Sequence, residues 1–110
     1  MNADVARAES SWTFLTNHLH VLVCLARDPE LRIRDIADLI GITERATVQI
    51  LSQLEASGYL TRTRVGRRNH YTVHGELPLR HPLHSGRQVG EILRVIEPEI
   101  PPSASRSRRH

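Results

Sequence analysis

No lysine occurs in this chain; all 15 strongly basic side chains are arginine. Either a GC-rich coding sequence or selection for bidentate phosphate and guanine contacts produces such a bias. Cys24 is the single cysteine, which excludes an internal disulfide and a cysteine-based metal knuckle. It lies in the apolar run Leu22-Val23-Cys24-Leu25, where a buried structural thiol is expected rather than an exposed redox sensor. No apolar run approaches membrane-spanning length, and the N-terminus lacks a signal-peptide pattern. A cytoplasmic, nucleoid-associated protein without membrane contact is therefore expected. There is no internal repeat, no phosphate-cradling glycine loop, and no Ser/His or Cys/His pairing with a plausible orienting group. These absences argue against an enzyme and against a bound cofactor.

With 110 residues the chain has room for one domain and a modest core. The net charge of +3 suits a polyanionic partner. Acidic residues concentrate in the helical segments, and the basic excess follows Leu60.

The most informative stretch runs from Ile36 to Leu51. Ile36, Leu39 and Ile40 are spaced to share one helical face. Gly41 can end that helix in the left-handed conformation, and Ile42 plugs the corner. Thr43 is an N-cap for a second helix, whose buried stripe is Thr47, Ile50, Leu51 and Leu54. A step of about 100° per residue then turns Arg45, Gln49 and Ser52 away from the stripe, with Val48 on the flank. Helix-turn-helix motifs lay such a second helix in the DNA major groove. Arg45 can pair with guanine, Gln49 with adenine, and Val48 can touch a thymine methyl, while Thr43 can reach a phosphate.

Around this motif the chain divides into four parts. Residues 1–11 read as a flexible N-terminal arm, and 12–75 as a winged helix-turn-helix domain. Residues 76–96 read as a linker and a C-terminal dimerisation helix, and 97–110 as a disordered Pro/Ser/Arg tail. Within the domain, a helix capped by Thr16 should run to Arg27, with Leu19, Leu22, Val23 and Ala26 inward. Asp28-Pro29 ends it, because the residue before proline avoids the α region. Leu31-Arg32-Ile33 alternates like a short strand. Gly58 closes the helix-turn-helix. Two strands then flank the turn Val65-Gly66-Arg67-Arg68-Asn69, with no acid between Tyr59 and His74. Arg62, Arg64, Arg67 and Arg68 on this basic hairpin are placed to contact the DNA backbone or minor groove. Helical spacing returns from Leu83 to Ile96.

The expected fold is mainly α with a small β-hairpin (α+β), a winged helix-turn-helix with an additional C-terminal helix. This order resembles the MarR/ArsR-type winged-helix transcriptional regulators. The resemblance is carried by Leu31 to Thr43, by Leu54-Glu-Ala-Ser-Gly-Tyr-Leu and by Thr61 to Tyr71, and it is nearest to small actinobacterial regulators of this kind. It implies a homodimer that acts on a promoter, and it names no effector. Val89, Ile92, Leu93 and Ile96 form a stripe surplus to a complete winged-helix core, and with Trp12 and Phe14 they are the expected dimer surface.

Other inputs remain open. The same fold can serve as an interaction module for protein or RNA, or as a metal- or redox-responsive sensor acting through DNA. No metal site is assigned. His18 and His20 fall on different helix faces, and Pro82 intrudes between His81 and His84.

Overall fold

A computed structural model describes residues 12–97. Both the N-terminal arm and the tail from 98 onward lie outside the described residues. The elements in order are α1 (Asn17–Arg27), α2 (Ile33–Ile40), α3 (Glu44–Ala56), β1 (Leu60–Val65), β2 (Arg68–Val73), a 3₁₀ turn (Pro82–His84) and α4 (Val89–Ile96). Among the described residues, four helices and one antiparallel hairpin give the expected α+β winged-helix architecture.

Helix α1 begins where expected, with the Thr16 hydroxyl accepting from the Leu19 N–H at 3.3 Å. Its burial is broader than a single stripe. Five consecutive residues, Val21 to Leu25, are buried, because α1 packs against α2, α3, β2 and α4 at once. Cys24 lies in this run, and burial pushes its thiol pKa up, partly offset by Arg27.

Leu31-Arg32-Ile33 is not a strand. Its neighbourhood makes one ladder-like bond to the hairpin, from the Tyr71 N–H to the Pro29 carbonyl at 2.9 Å. Pro29 has no N–H, and the donors that follow are engaged locally. Glu30 bonds the Asp28 carboxylate, Leu31 the Asp28 carbonyl, and Arg32 the Asp35 carboxylate. Arg32 therefore becomes the N-cap of α2, and Ile33 its first helical residue.

In α2 the inward face is Ile33, Ile36, Ala37 and Ile40, with Ile36 and Ala37 fully buried. Leu39 does not join them. It stands about 110° from the centre of that stripe at the α-helical step and is 64% exposed. Gly41 ends the helix at φ 87°, a conformation that leaves its N–H 2.8 Å from the Ala37 carbonyl. Helix α3 follows after Ile42, with the Thr43 hydroxyl accepting from the Ala46 N–H at 3.0 Å. Thr47, Ile50, Leu51 and Leu54 are all buried, and the Thr47 hydroxyl is satisfied by the Thr43 carbonyl at 2.9 Å.

The hairpin is tighter than the sequence suggests. Strand pairing continues to Val65–Arg68, so the turn is Gly66-Arg67 alone, and Asn69 pairs with Arg64 inside the ladder. Gly66 has φ 63° while Arg67 does not share a positive φ, the pattern of a II′ turn.

Beyond the hairpin, residues 75–88 form a tied strap rather than a loose linker. The Leu79 N–H donates to Arg87 O and the Val89 N–H to Leu77 O, both at 2.9 Å, and the Gly90 N–H to Gly75 O at 2.7 Å. Helix α4 consequently starts at Val89, and Leu83 belongs to the 3₁₀ turn. Its stripe also has a different destination. Val89 and Leu93 are 4% and 1% exposed within the chain's own core, and Ile96 packs partly against it. The winged-helix core is thus incomplete without α4. Ile92 is half-buried, and Val95 is 78% exposed on the outer side.

Candidate nucleic-acid interface

The helical register that buries Thr47, Ile50, Leu51 and Leu54 leaves Arg45, Val48, Gln49 and Ser52 exposed on the other side of α3. Val48 is 46% exposed. No other described element covers this face. Among the described residues Arg45, Gln49 and Ser52 make no side-chain hydrogen bond or ion pair, so their polar groups are available to a partner. The capping Thr43, also exposed, places the N-terminal turn of α3 at the same end.

The four hairpin arginines fall into different environments. Cross-strand pairing puts Arg62 opposite Tyr71 and Arg64 opposite Asn69. Arg62 Nε is 3.5 Å from Glu55 Oε2, which joins the wing to the last turn of α3. Arg64 Nε donates to the Gly66 carbonyl at 3.2 Å, folding back on the turn. An Arg68 guanidinium N–H donates to the Glu30 carbonyl at 3.1 Å. Arg67, at the tip, makes no hydrogen bond or ion pair among the described residues. The absence of acids between Tyr59 and His74 in the sequence therefore does not leave all four arginines free, because Glu55 comes from α3. Burial raises the Tyr71 pKa; Arg62 lowers it and Glu55 raises it further.

A basic feature not evident in the sequence lies beside the wing. A groove of about 340 Å³ runs between residues 30–33 and the hairpin, with Arg32, Arg67 and Arg68 on its walls. Arg32 reaches it from a segment whose strand-like alternation in the sequence gives no sign of that position. His70 belongs to the same junction, its Nδ1 donating to Glu30 Oε2 at 3.3 Å.

The surface apolar residues are also placed. Trp12 and Phe14 are 66% and 92% exposed, and their rings meet edge to face with centroids 5.0 Å apart. Val89 and Leu93 are withdrawn from any outer surface. Among the described residues no three His, Cys, Asp or Glu side chains converge as a metal site. No described helix is long and apolar enough to cross a membrane.

The MarR family model matches residues 16–65, from the cap of α1 to the tip of the wing. The segment is a MarR-type winged helix. Its helix-turn-helix and first wing strand are the matched elements, and members of that family are DNA-binding transcription regulators. No curated protein matches the chain. The strap and α4 lie beyond the matched segment.

Proposed function

We propose that the protein is a sequence-specific, homodimeric transcription regulator that reads an inverted-repeat operator. The observation that carries this is the uncovered face of α3, where Arg45, Val48, Gln49 and Ser52 stand together opposite a fully buried stripe. Bidentate pairing of Arg45 with guanine and of Gln49 with adenine supplies base discrimination, and Val48 meets a thymine methyl. Thr43 and the free N–H groups of the first turn hold a phosphate. Arg67 at the wing tip, with Arg68, Arg64 and Arg32 beside it, follows the backbone or a narrow minor groove. Arg62 supports the wing from Glu55.

Dimerisation uses the side of α4 turned away from the core. Val95 and Ile92, together with the Trp12–Phe14 pair, supply apolar surface for a two-fold contact, while Ile96 borders it. One such domain reads few base pairs, and a two-fold pair reads two half-sites with centres about 10 base pairs apart or a multiple of that. The partner is double-stranded DNA, in the cytoplasm, and no catalytic step is assigned. Selecting bound fragments from the host genome tests this directly. Enriched inverted repeats with that spacing are expected; fragments that share no motif would contradict it.

A further inference from the structure

We infer that Glu44 is a specificity-determining residue that reads a cytosine, its carboxylate accepting from the exocyclic N4 amino group in the major groove. Such a contact depends on the base-reading face of α3 proposed above and adds an acid to it. Glu44 is the first residue of α3, directly after the capping Thr43, and it is exposed. Helix-turn-helix proteins bring that end of the second helix to the base edges. Glu44 also stands one turn before Val48, at i,i+4, so the two share one edge of the uncovered face.

Helix α3 carries two acids, Glu44 and Glu55, and only one of them is compensated. Glu55, in the last turn, has Arg62 at 3.5 Å. Glu44 has no side-chain hydrogen bond or ion pair among the described residues. The helix dipole favours a carboxylate at this end in the free protein. On DNA the balance changes, because an unpaired carboxylate is repelled by the phosphates and loses water that a donor must replace. An ionised carboxylate only accepts. In the major groove guanine and thymine offer it acceptors, and adenine sets the N7 acceptor beside its N6 donor. Cytosine presents the N4 donor alone, so it satisfies Glu44 without a facing acceptor. Consecutive Cα atoms are about 3.8 Å apart and stacked bases about 3.4 Å. The cytosine therefore lies in the same base pair as the guanine read by Arg45, or in the next one.

Selection from a random duplex library by the full chain, run in parallel for wild type, Glu44→Ala, Glu44→Gln and Arg45→Ala, tests the assignment. Wild type should enrich a motif with one column per half-site that favours cytosine by ~fivefold or more over each other base. That column should coincide with, or adjoin, the guanine column that Arg45→Ala erases. Glu44→Ala should level it. Glu44→Gln should admit adenine there, because an amide donates to N7 while accepting from N6. Both variants should also bind a scrambled duplex more tightly at low salt, since a charge that repels phosphate is gone. A wild-type library without a shared motif would overturn the base-reading face of α3 and the Glu44 assignment with it. A shared motif that Glu44→Ala leaves unchanged, or a Glu44→Gln protein that gains no adenine, would overturn the Glu44 assignment alone. Unchanged motifs are the outcome if Glu44 serves only the helix dipole.

Discussion

Arg62 Nε lies 3.5 Å from Glu55 Oε2, so the base of the wing is pinned to the C-terminal turn of the helix that precedes it. This ion pair sets Arg62 apart from the other wing arginines, none of which meets a carboxylate among the described residues, and DNA binding should show that division. Neutralising Arg67 and Arg68 together is expected to flatten the salt dependence of binding, by up to about 0.9 in slope for each phosphate no longer neutralised. Arg62→Ala should leave that slope close to wild type and cost only about 0.2–1 kcal/mol of stability, as partly exposed ion pairs do. Anisotropy titrations across a salt series measure both. Equal slopes for all three proteins would mean that the wing does not touch the backbone.

A second expectation concerns the close backbone approach that seats α4. A Cβ on Gly90 would stand 3.0 Å from the Gly75 carbonyl oxygen. Relieving that contact requires the two backbones to part by a few tenths of an ångström, which lengthens the 2.7 Å bond between them. Gly90→Ala should therefore destabilise the fold by about 1–3 kcal/mol despite alanine's better helix propensity. Urea unfolding gives the number; an unchanged or raised midpoint would show that the approach is loose.

The two sides of α4 should respond differently to mutation. Leu93→Ala removes a core side chain and should cost about 2–5 kcal/mol. Val95→Asp should change stability by about 0.5 kcal/mol or less, yet convert the dimer to monomer, because a carboxylate would be buried unpaired in the interface. Light scattering at micromolar concentration decides this. A wild-type monomer, or a dimeric Val95→Asp protein, contradicts the proposed interface.

Cys24 offers a pH-dependent check on the core. Burial raises its pKa above the ordinary 9.0, so the folded state favours the neutral thiol. The associated stability is fully present below 9.0 and is lost as pH rises through the folded-state value. Alkylation by iodoacetamide near pH 8 should be slow in the native protein and fast in urea. Equal rates would place the thiol at the surface.

Periodicity makes α3 and its exposed face legible, because all four inward residues come from one helix and their spacing alone fixes the opposite side. Where a residue's environment is set by a distant element, local pattern is insufficient. Leu31 and Ile33 alternate like a strand, but the missing N–H of Pro29 and the pull of Asp28 and Asp35 on neighbouring donors leave no ladder to form. Leu39 has the spacing of a core residue, yet only the arrangement of α1 and α3 determines which side of α2 is covered. The stripe of Val89 and Leu93 is visible in the sequence, but whether it meets its own chain or another depends on the approach of Gly75 to Gly90. The pairings of Glu55 with Arg62 and of Ser57 with Arg80 carry no sequence signature at all.

The exposed face of α3 is tested most directly by comparing affinity for a selected operator and a scrambled duplex in wild type, Arg45→Ala and Gln49→Ala. Both side chains are exposed, so the variants should stay folded within about 0.5 kcal/mol. Each should lose about 1–3 kcal/mol of discrimination between the two duplexes, at the base pair its side chain reads. Undiminished discrimination in both variants would contradict base reading by this helix.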